Sequence, residues 1–185
     1  MLDLVSAGPC PSPPKGMFLP IPIGVVSGNK WLFKDLAAMP HLLVGGLTRS
    51  GKSNYISVVI QALLKIKRVT CFLADPQKLT FAKFRHHPNA RVLLNQHEML
   101  KALNYLKEEL SRREDLFVEA GVEKIEDFNA VADEELGGLV LIVDEYTRIN
   151  RNKAIVEILT DLSATGAKCG VSIVLATQRP SGDVV

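Results

Sequence analysis

Gly46, Gly51, Lys52 and Ser53 stand in the pattern G-x-x-x-x-G-K-S inside the stretch "LLVGGLTRSGKSNYI". Glycines at this spacing let a backbone fold tightly and turn its N–H groups inward, which makes a concave nest for an anion. A helix starting at the lysine adds its unpaired N–H groups and the positive end of its dipole. The lysine is a point charge within reach of terminal phosphates, and the hydroxyl beside it is a ligand for Mg²⁺. These are the parts of a P-loop. With glycine at about 7% of residues, chance places the four fixed positions in a chain of this length well under about 5% of the time. The expected nucleotide cradle comprises Gly46, Leu47, Thr48, Arg49, Ser50, Gly51, Lys52, Ser53 and Asn54. Its expected ligands are ATP and Mg²⁺. Lys52 is expected to face ligand, so that removing it costs contacts only when nucleotide is present.

A nucleoside triphosphatase needs a second piece. "LVLIVDE", Leu139 to Glu145, is an apolar run ending in two carboxylates. A buried strand that ends this way exposes its paired acids in the crevice at the carboxyl end of the sheet, beside the phosphate loop. Asp144 is expected to hold Mg²⁺ with Ser53, and Glu145 to orient and activate the attacking water. A kinase passing phosphate to another substrate does not need the second acid in that role, so the pair favours hydrolysis. The third piece is "VLATQRP", where a strand ends in Thr177-Gln178. Gln178 can hydrogen-bond the terminal phosphate or the water. Lys52, Glu145 and Gln178 are thus the expected catalytic residues.

The elements that position these groups follow from periodicity. "IPIGV" and "KWLF" flank the turn-like "SGN" and read as a small β-hairpin. "HLLVGG" reads as a buried strand feeding the loop. Ile56, Val59, Ile60, Leu63 and Leu64 recur at helical spacing after it. "RVTCFLAD" and "GGLVLIVDE" read as buried strands, "ARVLL" as a short one, and "GVSIVLATQRP" as another. Met99, Leu103, Leu106, Leu110 and Phe117 mark one face of a long charged helix from about His97 to Val118. Ile155, Ile158, Leu159 and Leu162 mark a further helix. Continuous apolar strands alternating with helices predict an α/β fold: a mainly parallel sheet covered by helices on both faces. Residues 1–16 include the Pro-rich "GPCPSPPKG" and are expected to be an extended linker. Residues 17–185 are the expected core.

Bulk properties narrow the class. Hydrophobic residues make up 47% of 185, enough for one domain with a sizeable core. No apolar run reaches the roughly 18 residues of a membrane helix. The N-terminus lacks the basic residues of a signal peptide. The net charge of +2 neither favours nor disfavours nucleic acid. Cys10, Cys71 and Cys169 are far apart, with no C-x-x-C pair, so they read as reduced cytosolic thiols, two of them in the core. The expected location is cytoplasmic, with any membrane anchor in regions outside this chain. Arg85-His86-His87 and Lys65-Ile66-Lys67-Arg68 read as solvated segments that can face phosphates. Within Arg112-Arg113, one arginine is expected to pair with Glu108 or Glu109.

These pieces, with "MPHLLVGG" before the loop and "ATQRPSGDVV" at the end, resemble the FtsK/SpoIIIE family of DNA translocases from about Ile21 to Val185. "LADPQK" is similar to the family's Asp-Pro-Lys strand end, with Gln77 where lysine is usual. "EELSRREDLFVEAGVEKIEDFN" resembles its long helix and the Gly-containing turn after it. The resemblance implies a RecA-like P-loop ATPase core that works as a ring, usually a hexamer, with double-stranded DNA in the channel and ATP between neighbouring subunits. Relatives include coupling ATPases of conjugative elements and secretion ATPases whose cargo is protein. Two departures stand out. Arg49 replaces a common glycine. Before the last strand, Ala167-Lys168 stand near where the family usually carries an arginine, so Lys168, Arg148 and Arg151 are candidates for a group acting across the ring. The family core continues past "RPSGDVV", so the chain is expected to be a fragment, a truncated relative or a mobile-element version.

Overall fold

The computed structural model describes residues 10–27, 29–47 and 49–178. It begins with an antiparallel hairpin, β1 (Pro20–Val26) and β2 (Lys30–Asp35), with a register shift between Pro22 and Gly24. The carboxylate of Asp35 ties the hairpin's base: it accepts from the backbone N–H groups of Phe18, Leu19 and Ala37 at 2.7–2.9 Å. The chain then alternates through β3 (His41–Gly45), α1 (Lys52–Leu64), β4 (Val69–Ala74), β5 (Ala90–Leu93) and α2 (Gln96–Ala120). It continues through α3 (Ile125–Val131), β6 (Gly138–Val143), α4 (Lys153–Thr165) and β7 (Val171–Thr177). Strands β3 to β7 form one five-stranded sheet in the order β3-β7-β6-β4-β5, every neighbouring pair parallel.

Both faces are covered, as the unbroken apolar runs predict. Along β6 the side chains alternate between two cores. Val140 and Ile142 point to the face that holds α1 and the hairpin, with Leu19, Ile21, Ile56 and Ile60. Leu139, Leu141 and Val143 point to the face that holds α2, α3 and α4, with Leu103, Leu106, Ile125 and Ile155. Each fully buried Leu or Ile of this kind contributes about 1.5–3 kcal/mol relative to exposure. Helix α2 starts where Asn95 accepts from the Glu98 N–H at 2.9 Å and Glu98 accepts from the Leu94 N–H at 2.7 Å, a reciprocal cap.

Three details differ from the sequence reading. Strand β3 is not a buried strand: among the described residues it is one of the two outer strands of the sheet, with Leu43 exposed at 42%. The Gly-containing turn falls at Gly121, as expected, but helix α3 beyond it was not anticipated, because only Ile125 and Phe128 of its seven residues are buried and so short a period carries no signal. Arg112 and Arg113 both pair with Glu109, and Arg113 is buried, its guanidinium also donating to the Cys169 carbonyl at 2.6 Å. Cys71 and Cys169 are in the core, as expected. Among the described residues, no helix is long and apolar enough to cross a membrane.

Candidate functional site at the carboxyl edge of the sheet

Because the strands are parallel, their carboxyl ends lie along one edge, where an open α/β sheet binds ligands. The strand order decides which ends are neighbours. β3 pairs with β7 so that Gly45 lies opposite Thr177, and the Gly46 N–H donates to the Thr177 carbonyl at 3.2 Å. The loop after β3 is thereby fastened beside Thr177 and Gln178. β6 lies between β7 and β4, with Val143 opposite both Leu175 and Ala74, and the Asp144 N–H donates to the Ala74 carbonyl at 3.0 Å. Asp144 therefore emerges between the ends of β7 and β4.

The loop between β3 and α1 has the conformation its glycines allow. Gly51 sits at φ 92°, a left-handed conformation that any side chain would strain, and α1 begins at the next residue. A Cβ on Gly46 would come within 2.5 Å of Ser50 Oγ, so a side chain there would crowd the turn. Arg49 has φ 66° although it is not glycine, a conformation that costs a non-glycine residue about 1–3 kcal/mol. The position where the resemblance sets a glycine is thus one whose backbone favours glycine.

A cavity of about 310 Å³ opens in front of this loop, and Lys52, Ser53, Asp144 and Gln178 line it, with Gln77 and Thr80 from the segment after β4. Leu47, Arg49, Gly51 and Asn54 belong to the same wall. Ser50 is exposed at the loop's tip, and Thr48 lies outside the described residues. Lys52 Nζ donates to Asp144 Oδ1 at 2.7 Å, and Thr80 Oγ1 donates to Asp144 Oδ2 at 2.8 Å. The side chains of Lys52 and Asp144 are 8% and 5% exposed, so this is a buried ion pair. Lys52 is therefore not a free group awaiting ligand, as the sequence suggests.

The two acids part company. Both are buried, Asp144 at 4% and Glu145 at 6% exposure, where the sequence predicts two exposed groups. Glu145 adopts φ 61° and ψ 69°, which turns the chain sharply between β6 and a 3₁₀ turn at Tyr146–Arg148. That turn leaves Asp144 lining the cavity and takes Glu145 out of its lining. Glu145 Oε1 accepts from Thr147 Oγ1 at 2.6 Å and from the Gln178 N–H at 3.4 Å. Glu145 Oε2 is buried with no hydrogen-bond partner among the described residues. A non-glycine residue in this conformation, carrying a half-satisfied buried carboxylate, is the kind of strain that accumulates at functional sites.

Thr80 and Thr147 escape the sequence reading, which names Gln77 only as a departure at the end of "LADPQK". Neither threonine belongs to a spaced motif, and each reaches the site only through the register of β4 against β6 or the turn after Glu145. Arg148 and Arg151 are exposed just beyond Glu145, whereas Lys168 is exposed before β7, at the opposite end of the sheet. Arg85 and His86 are exposed beside β5, and Arg68 pairs with Glu135.

The arrangement fits a magnesium-bound nucleotide. The glycine-built cradle, the Lys52 cation, the exposed Ser53 hydroxyl and the Asp144 carboxylate are the donor set that phosphates and a hard divalent cation require.

A sequence profile of the FtsK/SpoIIIE family matches residues 14–162. The DNA translocase FtsK of Streptococcus pneumoniae is 34% identical over 186 aligned residues, 91% of this chain and 24% of that protein. The DNA translocase SftA of Bacillus subtilis is 33% identical over 172 aligned residues, 86% of this chain and 18% of that protein. The chain thus spans about a quarter or less of the length of these relatives. Among solved structures, EssC (ATPases 2 and 3) from Geobacillus thermodenitrificans superposes with a TM-score of 0.80 at 18% identity, covering 94% of this chain and 37% of that one. The pCW3 conjugation coupling protein TcpA, solved with ATPγS, superposes with a TM-score of 0.77 at 22% identity, covering 96% of this chain and 55% of that one.

Proposed function

The chain belongs to the FtsK/SpoIIIE family, and on that premise we propose that it is the ATP-binding and ATP-hydrolysing core of a motor that translocates double-stranded DNA as a ring. The observation that carries this reading is the meeting of Lys52, Asp144 and Gln178, from three separate elements, around one cavity at the carboxyl edge of the sheet.

The roles follow from the chemistry of each group. The loop from Gly46 to Asn54 cradles the phosphates with backbone N–H groups, and Lys52 leaves Asp144 to neutralise the terminal ones. Ser53 and Asp144 would hold Mg²⁺, which would offset the negative charge of the phosphates. Glu145 takes a proton from the attacking water, and its unpartnered Oε2 is the oxygen available for it. The Glu145 carboxylate reaches that water by leaving Thr147. The Gln178 N–H touches the same carboxylate, so movement at the end of β7 is coupled to the base. A ring completes such a site with an arginine from the neighbour, a contribution of about 10³–10⁵ in rate. Arg148 and Arg151 carry the planar guanidinium that suits that task, which the ammonium of Lys168 lacks.

The same core could pull conjugative DNA or a protein cargo. DNA is favoured because FtsK of Streptococcus pneumoniae and SftA of Bacillus subtilis, each above 30% identity over most of this chain, are DNA translocases. The test is steady-state ATP hydrolysis by the longer native protein with and without duplex DNA. Strong stimulation by duplex DNA is expected. Hydrolysis indifferent to DNA, with stimulation by a protein substrate instead, would transfer the reading to secretion.

A further inference from the structure

The segment after β4 is tied at both ends. Asp75, fully buried, accepts the Phe81 N–H on Oδ2 at 2.9 Å, and its main-chain carbonyl accepts the Lys78 N–H at 3.0 Å. Phe81 is itself fully buried. Lys78 takes φ 64° to close the loop. This fixed loop presents Thr80 to the cavity, where its hydroxyl donates to Asp144 Oδ2 at 2.8 Å. The other oxygen of Asp144 is held by Lys52 at 2.7 Å. The two bonds come from different elements and set the plane of the carboxylate between them.

We propose that Thr80 is a positioning residue for Mg²⁺: it holds the Asp144 carboxylate in place once Lys52 has moved to the phosphates. This rests on the nucleotide-site reading given above. While Lys52 stays on Asp144, either bond orients the acid. With nucleotide bound, Lys52 is engaged elsewhere and the Thr80 hydroxyl is the tie that remains. Because that hydroxyl donates to Oδ2, Oδ1 is left as the oxygen for the ion or its water. Groups that orient a metal-holding side chain change metal affinity by about 10- to 100-fold when removed. A carboxylate acting through water sits at the lower end of that range.

The variants are Thr80→Val, which keeps the shape and removes the donor, and Thr80→Ser, which keeps the donor. Both are made in the longer native protein. Binding of a fluorescent, non-hydrolysable ATP analogue is measured across a Mg²⁺ titration and again in EDTA. Thr80→Val is expected to raise the Mg²⁺ concentration at half-saturation about 10-fold, with affinity in EDTA within about twofold of the parent. Thr80→Ser is expected to restore the Mg²⁺ dependence to within about threefold. Three results would overturn the proposal: an unchanged Mg²⁺ midpoint in Thr80→Val, an equal loss with and without Mg²⁺, or no rescue by Thr80→Ser. A parent protein that binds no nucleotide would overturn the site reading and this proposal together. Normal binding by the parent with an indifferent Thr80→Val would overturn this proposal alone.

Discussion

Replacing Lys52 by methionine removes the cationic half of a buried pair whose nitrogen and oxygen lie 2.7 Å apart. At an effective dielectric of about 20, two unit charges at that separation attract by about 6 kcal/mol. The desolvation of both groups offsets part of this. Removing one partner of a buried pair nonetheless costs about 3–5 kcal/mol, because the other charge stays behind unpaired. Here Asp144 keeps its bond from Thr80 and borders a cavity that water can enter, which puts the loss near the lower end, about 3 kcal/mol. For a chain of 185 residues, that lowers the melting temperature by about 6–12 °C. The assay is thermal unfolding without nucleotide, followed by circular dichroism. Adding Asp144→Asn to Lys52→Met should recover most of the loss, since a neutral amide needs no counter-charge, with a coupling of at least about 1.5 kcal/mol in the double-mutant cycle. A Lys52→Met protein melting within about 2 °C of the parent, with no such coupling, would refute the reasoning.

Glu145→Gln should bind ATP like the parent and turn over at least about 100-fold more slowly in an assembled ring, because the amide cannot take the water's proton; a steady-state ATPase assay with a parallel binding titration checks both halves. Arg49→Gly should stabilise the nucleotide-free chain by up to about 1 kcal/mol, the relief of the left-handed backbone at φ 66° outweighing the added freedom of the unfolded chain; urea unfolding measures it. Arg113→Ala should destabilise by about 2–4 kcal/mol, since it leaves the Cys169 carbonyl and Glu109 without their buried donor. Hydrogen bonds from Arg112 and Arg113 hold the Glu109 carboxyl below its ordinary range. Its contribution to stability is therefore full above the unfolded value of about 4.3 and is lost as pH falls through the lowered folded value, so Glu109→Gln should flatten the acid limb of a stability–pH curve. Burial pushes the Cys71 thiol up to about 12, so in the native chain a thiol reagent at neutral pH should label the half-exposed Cys10 before Cys71 or Cys169.

Local chemistry was legible without coordinates wherever one short segment carries the whole signal. The glycine spacing of residues 46–53 is a statement about backbone geometry, and the left-handed Gly51 answers it. The apolar run of β6 reports burial on both sides of a sheet, because no single-faced strand could tolerate it. Periodic helices were legible for the same reason: Ile56, Val59, Ile60 and Leu63 repeat a face that has to be buried. What depends on which strands become neighbours was hidden. The order β3-β7-β6-β4-β5 places β3 at the rim and brings the end of β4 against Asp144, and no local pattern encodes that order. Thr80 touches Asp144 across 64 positions of sequence, and Arg113 reaches Cys169 across 56. The fate of Lys52 and Glu145 was hidden too. Their residue types announce chemistry, but whether a charge waits in solvent or is already paired depends on burial. The sheet buries Asp144 beside Lys52, where an unpaired charge would be costly. The left-handed turn at Glu145 swings the second acid onto Thr147. Pairing and orientation of charges are settled by the three-dimensional neighbourhood, because electrostatic cost is set by what lies within a few ångströms in space, wherever it lies along the chain.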